Sequence, residues 1–185
     1  MTKTLDYEFL VEKFSRGDET AFDRIVEGCS ADIAVLANRL LGWPGDVEDI
    51  VQDVFLAAFL GLKKFRCECS LKTWLFTITI NKCRSYRYKQ MLYLRFFSKA
   101  AAKASATGTC NEGKAQMDDE TFQEIRHAVQ ALPLKYREPV VLRYLQELSM
   151  EETARILSIS KNALQVRLSR ARERLRQDLT ELIGQ

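Results

Sequence analysis

Residues 148–176 read LSMEETARILSISKNALQVRLSRARERLR, and the punctuation of this stretch decides the fold of the C-terminal half. Ser149 precedes a run with helical spacing and Glu152 follows three places on, the two halves of a capping box. The short helix so begun carries Ala154, small enough for another helix to cross closely. Ser158-Ile159-Ser160 then makes a tight turn, and Ser160 caps a second helix that starts at Lys161. Two helices across a turn of about three to four residues are a helix-turn-helix.

The second helix has two distinct sides. Leu164, Leu168, Ala171, Leu175, Leu179 and Leu182 fall on one apolar stripe. The opposite side, beginning at Lys161, presents Asn162, Gln165, Val166, Ser169 and Arg170. Amide, hydroxyl and guanidinium groups beside one methyl-bearing residue are what base edges in a major groove require. Arg167, Arg172, Arg174 and Arg176 flank that set and can meet phosphates. An ordinary surface helix can be as rich in arginine. It has no reason to combine the cap, the turn, the small residue and the polar face.

Upstream, helical spacing dominates and no alternating strand pattern stands out, so the chain reads as all-α. Helical regions are expected over 6–28 with a break near Gly17-Asp18, over 30–41, over 46–62, and from a cap at Ser70 to about Tyr88 or beyond. Gly42-Trp43-Pro44-Gly45 stops the second of these, and all three prolines, at 44, 133 and 139, are read as helix-edge residues. Residues 98–117, SKAAAKASATGTCNEGKAQM, hold no large aliphatic before Met117 and read as a flexible linker. Four further helices follow, over 118–132, 135–146, 149–157 and 161–182. The expected architecture is two small helical domains, 1–97 and 118–185, tethered by that linker.

Charge is segregated along the chain. Residues 1–58 hold 5 basic and 12 acidic side chains, whereas residues 59–109 hold 11 basic and 1 acidic. Residues 159–185 are again basic, 6 against 3. Two basic blocks set between acidic ones suggest two polyanion contacts on a protein that also meets a basic partner surface. No apolar run nears the roughly 20 residues that span a bilayer, so no membrane insertion is expected. The N-terminus lacks a signal pattern, and a cytoplasmic protein is expected. Five cysteines, at 29, 67, 69, 83 and 110, read as mostly free thiols, with the Cys67/Cys69 pair a candidate redox sensor. The lone His127 reads as structural, no metal or other cofactor is implied, and no acid/base or nucleophile cluster argues for an enzyme.

The stretch TWLFTITINKCRSYRYK, Thr73–Lys89, is apolar on more than one face. Leu71, Leu75 and Ile78 share one side of the helix, and Phe76, Ile80 and Cys83 another. Between them runs a strip of Trp74, Thr73, Thr77, Asn81, Arg84 and Tyr88. Such a helix can be packed on two sides while keeping one strip for a ligand. Trp74 and Tyr88 can stack on bases, Asn81 can read a base edge, and Lys82, Arg84, Arg87 and Lys89 attract the backbone, the combination that holds single-stranded DNA. A second surface is read on the 46–62 helix. Val47, Ile50, Val51, Val54 and Ala58 make its core stripe, and Asp49, Gln52, Asp53 and, further round, Phe55 make an exposed acidic edge with one aromatic anchor.

These residues resemble the extracytoplasmic-function (ECF) group of bacterial RNA polymerase sigma factors. The C-terminal match is carried by Glu151-Glu152-Thr153-Ala154, Leu157-Ser158-Ile159-Ser160 and Arg167-Leu168-Ser169-Arg170-Ala171-Arg172, with Leu132-Pro133, Arg137-Glu138 and Val141-Leu142-Arg143-Tyr144 as the lead-in. Asn162-Ala163-Leu164 stands where the family usually has Gly-Thr-Val, and Gln165 where a basic residue is frequent, departures that bear on which bases are read. The N-terminal match is carried by Gly17–Glu27, by DVEDIVQDVFLAAF (46–59), and by Thr73-Trp74-Leu75, Ile78 and Asn81.

The resemblance implies that the 46–59 helix grips core RNA polymerase. It implies that Lys161, Asn162, Gln165, Val166, Ser169 and Arg170 read a −35 element of promoter DNA. It also implies that Phe65, Arg66, Trp74, Thr77, Asn81, Lys82, Arg84 and Tyr88 capture an unstacked base of the −10 element, with the loop Phe65–Ser70 lining the pocket. The two domains then need not touch in solution. Off the polymerase, they mask each other or an anti-sigma factor clamps both, and the residues leave both open. A plain helix-turn-helix regulator with an N-terminal sensing or dimerising module is the other reading the residues allow.

Overall fold

The computed structural model describes residues 6–42, 46–98 and 119–183. Residues 99–117 of the expected linker, Trp43-Pro44-Gly45 and Cys110 lie outside these. The described residues form eight α-helices and one π-wound turn: α1 (Tyr7–Ser15), α2 (Thr20–Leu41), α3 (Val47–Leu62), α4 (Leu71–Ser98), α5 (Asp119–Ala131), α6 (Leu134–Val140), the turn Val141–Leu145, α7 (Met150–Leu157) and α8 (Lys161–Ile183). Among them no helix is long and apolar enough to cross a membrane.

The front half is a bundle in which α2, α3 and α4 pack on one another and α1 lies across α2. Ile33, Leu36, Val54, Leu75, Phe76 and Ile80 are sealed at its centre; each such side chain contributes about 1.5–3 kcal/mol by leaving water. One boundary differs from expectation. Gly28-Cys29-Ser30 does not end a helix, because α2 runs through it. A mid-helix glycine costs only about 1 kcal/mol. That is offset here because Ile25, Cys29, Ile33, Leu36 and Leu40 continue one buried face across it. The helix instead stops at Gly42, whose φ of 88° is the left-handed C-terminal conformation that favours glycine.

In the back half α8 packs on α5, α6 and α7. The capping box is present: Glu152 N–H donates to Ser149 Oγ at 3.1 Å, and Ser149 N–H to Glu152 Oε2 at 3.0 Å. Ser158 takes φ 54° to close α7, and Ala163 N–H donates to Ser160 Oγ at 3.1 Å to open α8. Leu164, Leu168 and Ala171 of α8 are buried, as is the small Ala154 of α7. Ser149→Ala should therefore lower stability by about 1 kcal/mol; thermal unfolding followed by circular dichroism measures it, and an unchanged midpoint would mean the box contributes nothing.

Pro139 lies inside α6 rather than at its edge. Without an N–H it cannot complete the regular ladder there, and two residues later the chain widens into the π-wound Val141–Leu145. The uniform helix expected over 135–146 is thus two segments of different winding.

The halves are in contact, although nothing in the sequence required them to touch. The π-wound turn packs on α2, and α7 on α4. The last carbonyls of α2 have no partners within their own helix. Arg39 O accepts from Gln130 Nε2 at 2.7 Å, Leu40 O from Arg137 Nη1 at 3.0 Å, and Leu41 O from Arg87 Nη2 at 3.1 Å. Two of those three donors belong to the back half, so it caps the C-terminus of a front-half helix. The negative end of the α2 dipole favours the two guanidinium groups at that position.

Candidate nucleic-acid and polymerase interfaces

The α4 strip is built from its N-terminus. Thr73 N–H donates to Ser70 Oγ at 3.1 Å and Trp74 N–H to Ser70 O at 3.1 Å, so Ser70 starts the helix as its position implied. Leu71, Leu75, Phe76, Ile80 and Cys83 are buried, which turns the intervening strip outward. Trp74 is half-buried at its root. The Phe65 ring lies 5.1 Å from the Trp74 ring with 37° between planes. A Cβ built at Gly61 would come within 3.2 Å of the indole. Gly61 therefore leaves room on α3 for the tryptophan, and Phe65 braces it from the loop.

Along that strip Asn81 and Tyr88 are exposed and Thr77 is half-buried. The Thr77 hydroxyl donates to Thr73 O at 2.9 Å, so it can still accept a hydrogen bond but has no proton left to give. Arg66 is exposed in the loop. Thr73, read as part of the strip, is instead 1% exposed. Its hydroxyl meets Glu152 of α7 at 3.5 Å, and the crossing of that helix is what covers it. Three of the four expected backbone-binding cations are engaged, Arg87 through its bond to Leu41 O. Lys82 sits 3.5 Å from Asp53. Arg84 makes a bidentate pair with Glu138, at 2.7 and 2.6 Å. That carboxylate raises the Arg84 guanidinium above its usual range.

On α3 the acidic edge is present, since Asp49, Gln52 and Asp53 are exposed, but its anchor is not Phe55. Phe55 is 8% exposed and packs edge-on against Phe22 of α2, ring centres 6.3 Å apart. At about 100° per residue, it lies roughly two-thirds of a turn from Asp49 and so falls on the core side. Leu56 and Leu60 share the direction of Asp49 and Asp53, and they are 59% and 71% exposed. The helical wheel alone could have found them, had the residue type not favoured the aromatic. Asp49, Gln52, Asp53, Leu56 and Leu60 form an acidic ridge with two apolar knobs.

On α8 the six residues read as base contacts share one exposed face: Lys161, Asn162, Gln165, Val166, Ser169 and Arg170. Lys161 pairs with Glu151 of α7. Arg170 hydrogen-bonds the Tyr136 hydroxyl and pulls it below the usual phenol range; Arg174 lies over the same ring at 5.2 Å. Tyr136 thereby aims Arg170 from a neighbouring helix, a support no local pattern in α8 could reveal. His127, read as structural, is exposed on α5. Cys67 is exposed and Cys69 half-exposed in the loop before α4.

Comparisons with known proteins place these surfaces in a family. Residues 25–92 match the model of sigma-70 region 2, and residues 122–175 that of sigma-70 region 4. The chain is 31% identical over 180 residues to the ECF RNA polymerase sigma factor SigW of Bacillus subtilis, covering 93% of this chain and 96% of that one. The chain belongs to the ECF group of sigma-70 RNA polymerase sigma factors. As an ECF sigma factor it directs RNA polymerase in transcription initiation. It is also 28% identical over 193 residues to the ECF sigma-E factor of Escherichia coli K12, covering 99% of each chain. Among solved structures it resembles the sigma factor RpoE of Bartonella quintana in complex with the anti-sigma factor NepR, with a TM-score of 0.66 and 25% identity over 86% of this chain and 96% of that one. In these terms α2 to α4 carry the region 2 match, and α5 to α8 the region 4 match, with the helix-turn-helix at α7 and α8.

Proposed function

We propose that this sigma factor divides its work among three surfaces. The ridge of Asp49, Gln52, Asp53, Leu56 and Leu60 docks on a basic surface of core RNA polymerase. The outer face of α8, Lys161 to Arg170, reads the −35 element as duplex DNA. The strip of Trp74, Thr77, Asn81 and Tyr88, with Phe65 and Arg66, takes an unstacked base of the −10 element and so helps open the promoter. Residues 1–97 and 118–185 act as separate domains on the polymerase, and 98–117 threads between them. The observation that carries this reading is the α4 strip, where a half-buried tryptophan and an exposed asparagine lie on a helix already packed on two other sides. Flipping a base costs a few kcal/mol of stacking and pairing. Stacking on Trp74 and hydrogen bonds to Asn81 are the groups placed to offset it.

The chain acts in the cytoplasm, where polymerase and promoter meet, and catalyses no reaction of its own. By analogy with the Bartonella relative, whose solved complex holds NepR, an anti-sigma factor is a further partner. The functional test is reconstitution. Purified chain added to core polymerase should start transcription from promoters selected out of random DNA. If it bound duplex DNA by itself yet never started transcription, it would be a helix-turn-helix regulator instead. Within that system Arg170→Ala should weaken binding of the −35 element by about 1–3 kcal/mol. Competition between the selected site and single-base variants locates the base it reads. Equal losses on every sequence would make Arg170 a phosphate contact.

A further inference from the structure

The outer face of α8 divides into a neutral end and a charged end. Val166 lies nearly opposite the buried Leu164, Leu168 and Ala171. It is 50% exposed, the one large apolar side chain left exposed on α8 among the described residues. Asn162 stands one turn before it on the same side and is exposed, as are Gln165 and Ser169. The first turn has one cation, Lys161, and its ammonium pairs with Glu151 of α7. Arg167 is half-buried and about 100° round from Val166, on the flank. The guanidinium that shares the face is Arg170, one turn beyond Val166. The Tyr136 hydroxyl accepts a hydrogen bond from it, and the Arg174 guanidinium lies 5.2 Å from the centre of the same ring.

We propose that α8 reads an A·T step with its N-terminal end. The Asn162 amide takes an adenine, the Val166 methyls cover the C5-methyl of a neighbouring thymine, and the guanine contact is left to Arg170. This names bases for the −35 reading above and rests on it.

A recognition helix enters the major groove with its N-terminal residues against base edges. There adenine offers the N7 acceptor beside the N6 donor, and one carboxamide matches both with its NH₂ and its C=O. Guanine offers two acceptors, so the amide oxygen would face O6 with no proton between them. Thymine carries the methyl that an exposed valine can cover, and cytosine lacks it. Asn162 and Val166 are four residues apart, so their Cβ atoms lie about 5–6 Å from each other. At about 3.4 Å per base pair they reach the same pair or adjacent ones. A guanidinium makes the bidentate bond to guanine O6 and N7. One helical turn is about 5.4 Å, so the guanine met by Arg170 falls about one or two pairs from the thymine. Lys161, held beside Glu151, leaves the adenine end without an unpaired cation that would favour guanine.

The test uses core polymerase reconstituted with the full chain. Promoters selected from random duplex should share an upstream A·T step with a guanine about one or two pairs away. Single-base analogues in that element then assign the contacts, read by competition for the reconstituted polymerase. Deoxyuridine in place of the thymine removes only the C5-methyl and should weaken the parent about fourfold, the effect of one buried methyl. Val166→Ala should be blind to that exchange. 7-Deazaadenine removes only N7 and should weaken the parent about two- to tenfold, and Asn162→Ala should be blind to it. Asn162→Ala should also reduce the preference for adenine at that pair by about 5- to 150-fold. Both side chains are exposed, so neither truncation opens a cavity in the core. An analogue that costs the parent nothing, or costs parent and variant alike, would overturn the base assignment while the α8 reading stands. Selected promoters with no shared upstream element would overturn both.

Discussion

Trp74→Ala combined with Asn81→Ala is expected to abolish promoter opening while leaving polymerase binding intact. The two residues sit one above the other on the strip, and neither lies on the α3 ridge. Losing a stacking platform removes about 1–3 kcal/mol per base, and losing a base-edge hydrogen bond removes about 1 kcal/mol. Together this is roughly 30- to 1,000-fold in the opening equilibrium, at about 1.4 kcal/mol per factor of ten. Permanganate reactivity of the melted thymines reads opening, and co-purification reads polymerase binding. Thymines as reactive as with the parent factor would contradict the assignment. The tryptophan has a second, structural effect, because Phe65 and Gly61 pack on it. Asn81→Ala alone separates the two: its side chain is exposed, so it should open promoters poorly without losing stability.

Leu56→Asp should cost about 2–4 kcal/mol in affinity for core polymerase, the range of an interface anchor. It replaces a knob that is 59% exposed and shares a direction with Asp49 and Asp53. The change adds a third carboxylate where desolvated apolar contact is needed, and it leaves the core untouched. Phe55→Ala should do the opposite. That ring fills the space against Phe22, so its loss should lower folding stability by about 3–4 kcal/mol and affect polymerase only through the amount of folded protein. Measuring both variants by equilibrium unfolding and by competition for core polymerase distinguishes the two roles. If Phe55→Ala folded normally and failed to bind polymerase, the anchor would belong on the other side of the helix.

The local chemistry of this chain was legible because it is carried by short-range rules. Ser149 with Glu152, Ser160 before α8, Ser70 before α4 and the apolar stripe of Leu164, Leu168 and Ala171 are cap and periodicity signals. Each acts within one or two helical turns and is found where its spacing placed it. Phe55 failed because an aromatic beside an acidic edge has the composition of an anchor, and only its angle relative to Phe22 assigns it to the core. Pro139 failed because the π-wound turn that accommodates it has no sequence signature of its own.

Backbone rules and residue patterning, then, were sufficient for the helical class, the helix-turn-helix and the exposed polar face of α8, since capping and amphipathic spacing depend on neighbours a few residues away. Which cations remain for DNA depended on the tertiary structure alone. Arg84 is 54 residues from Glu138, and Arg137 is 97 from Leu40. Contacts over such separations follow from how the two halves settle against each other, where burying a charge requires a partner that no local pattern can specify.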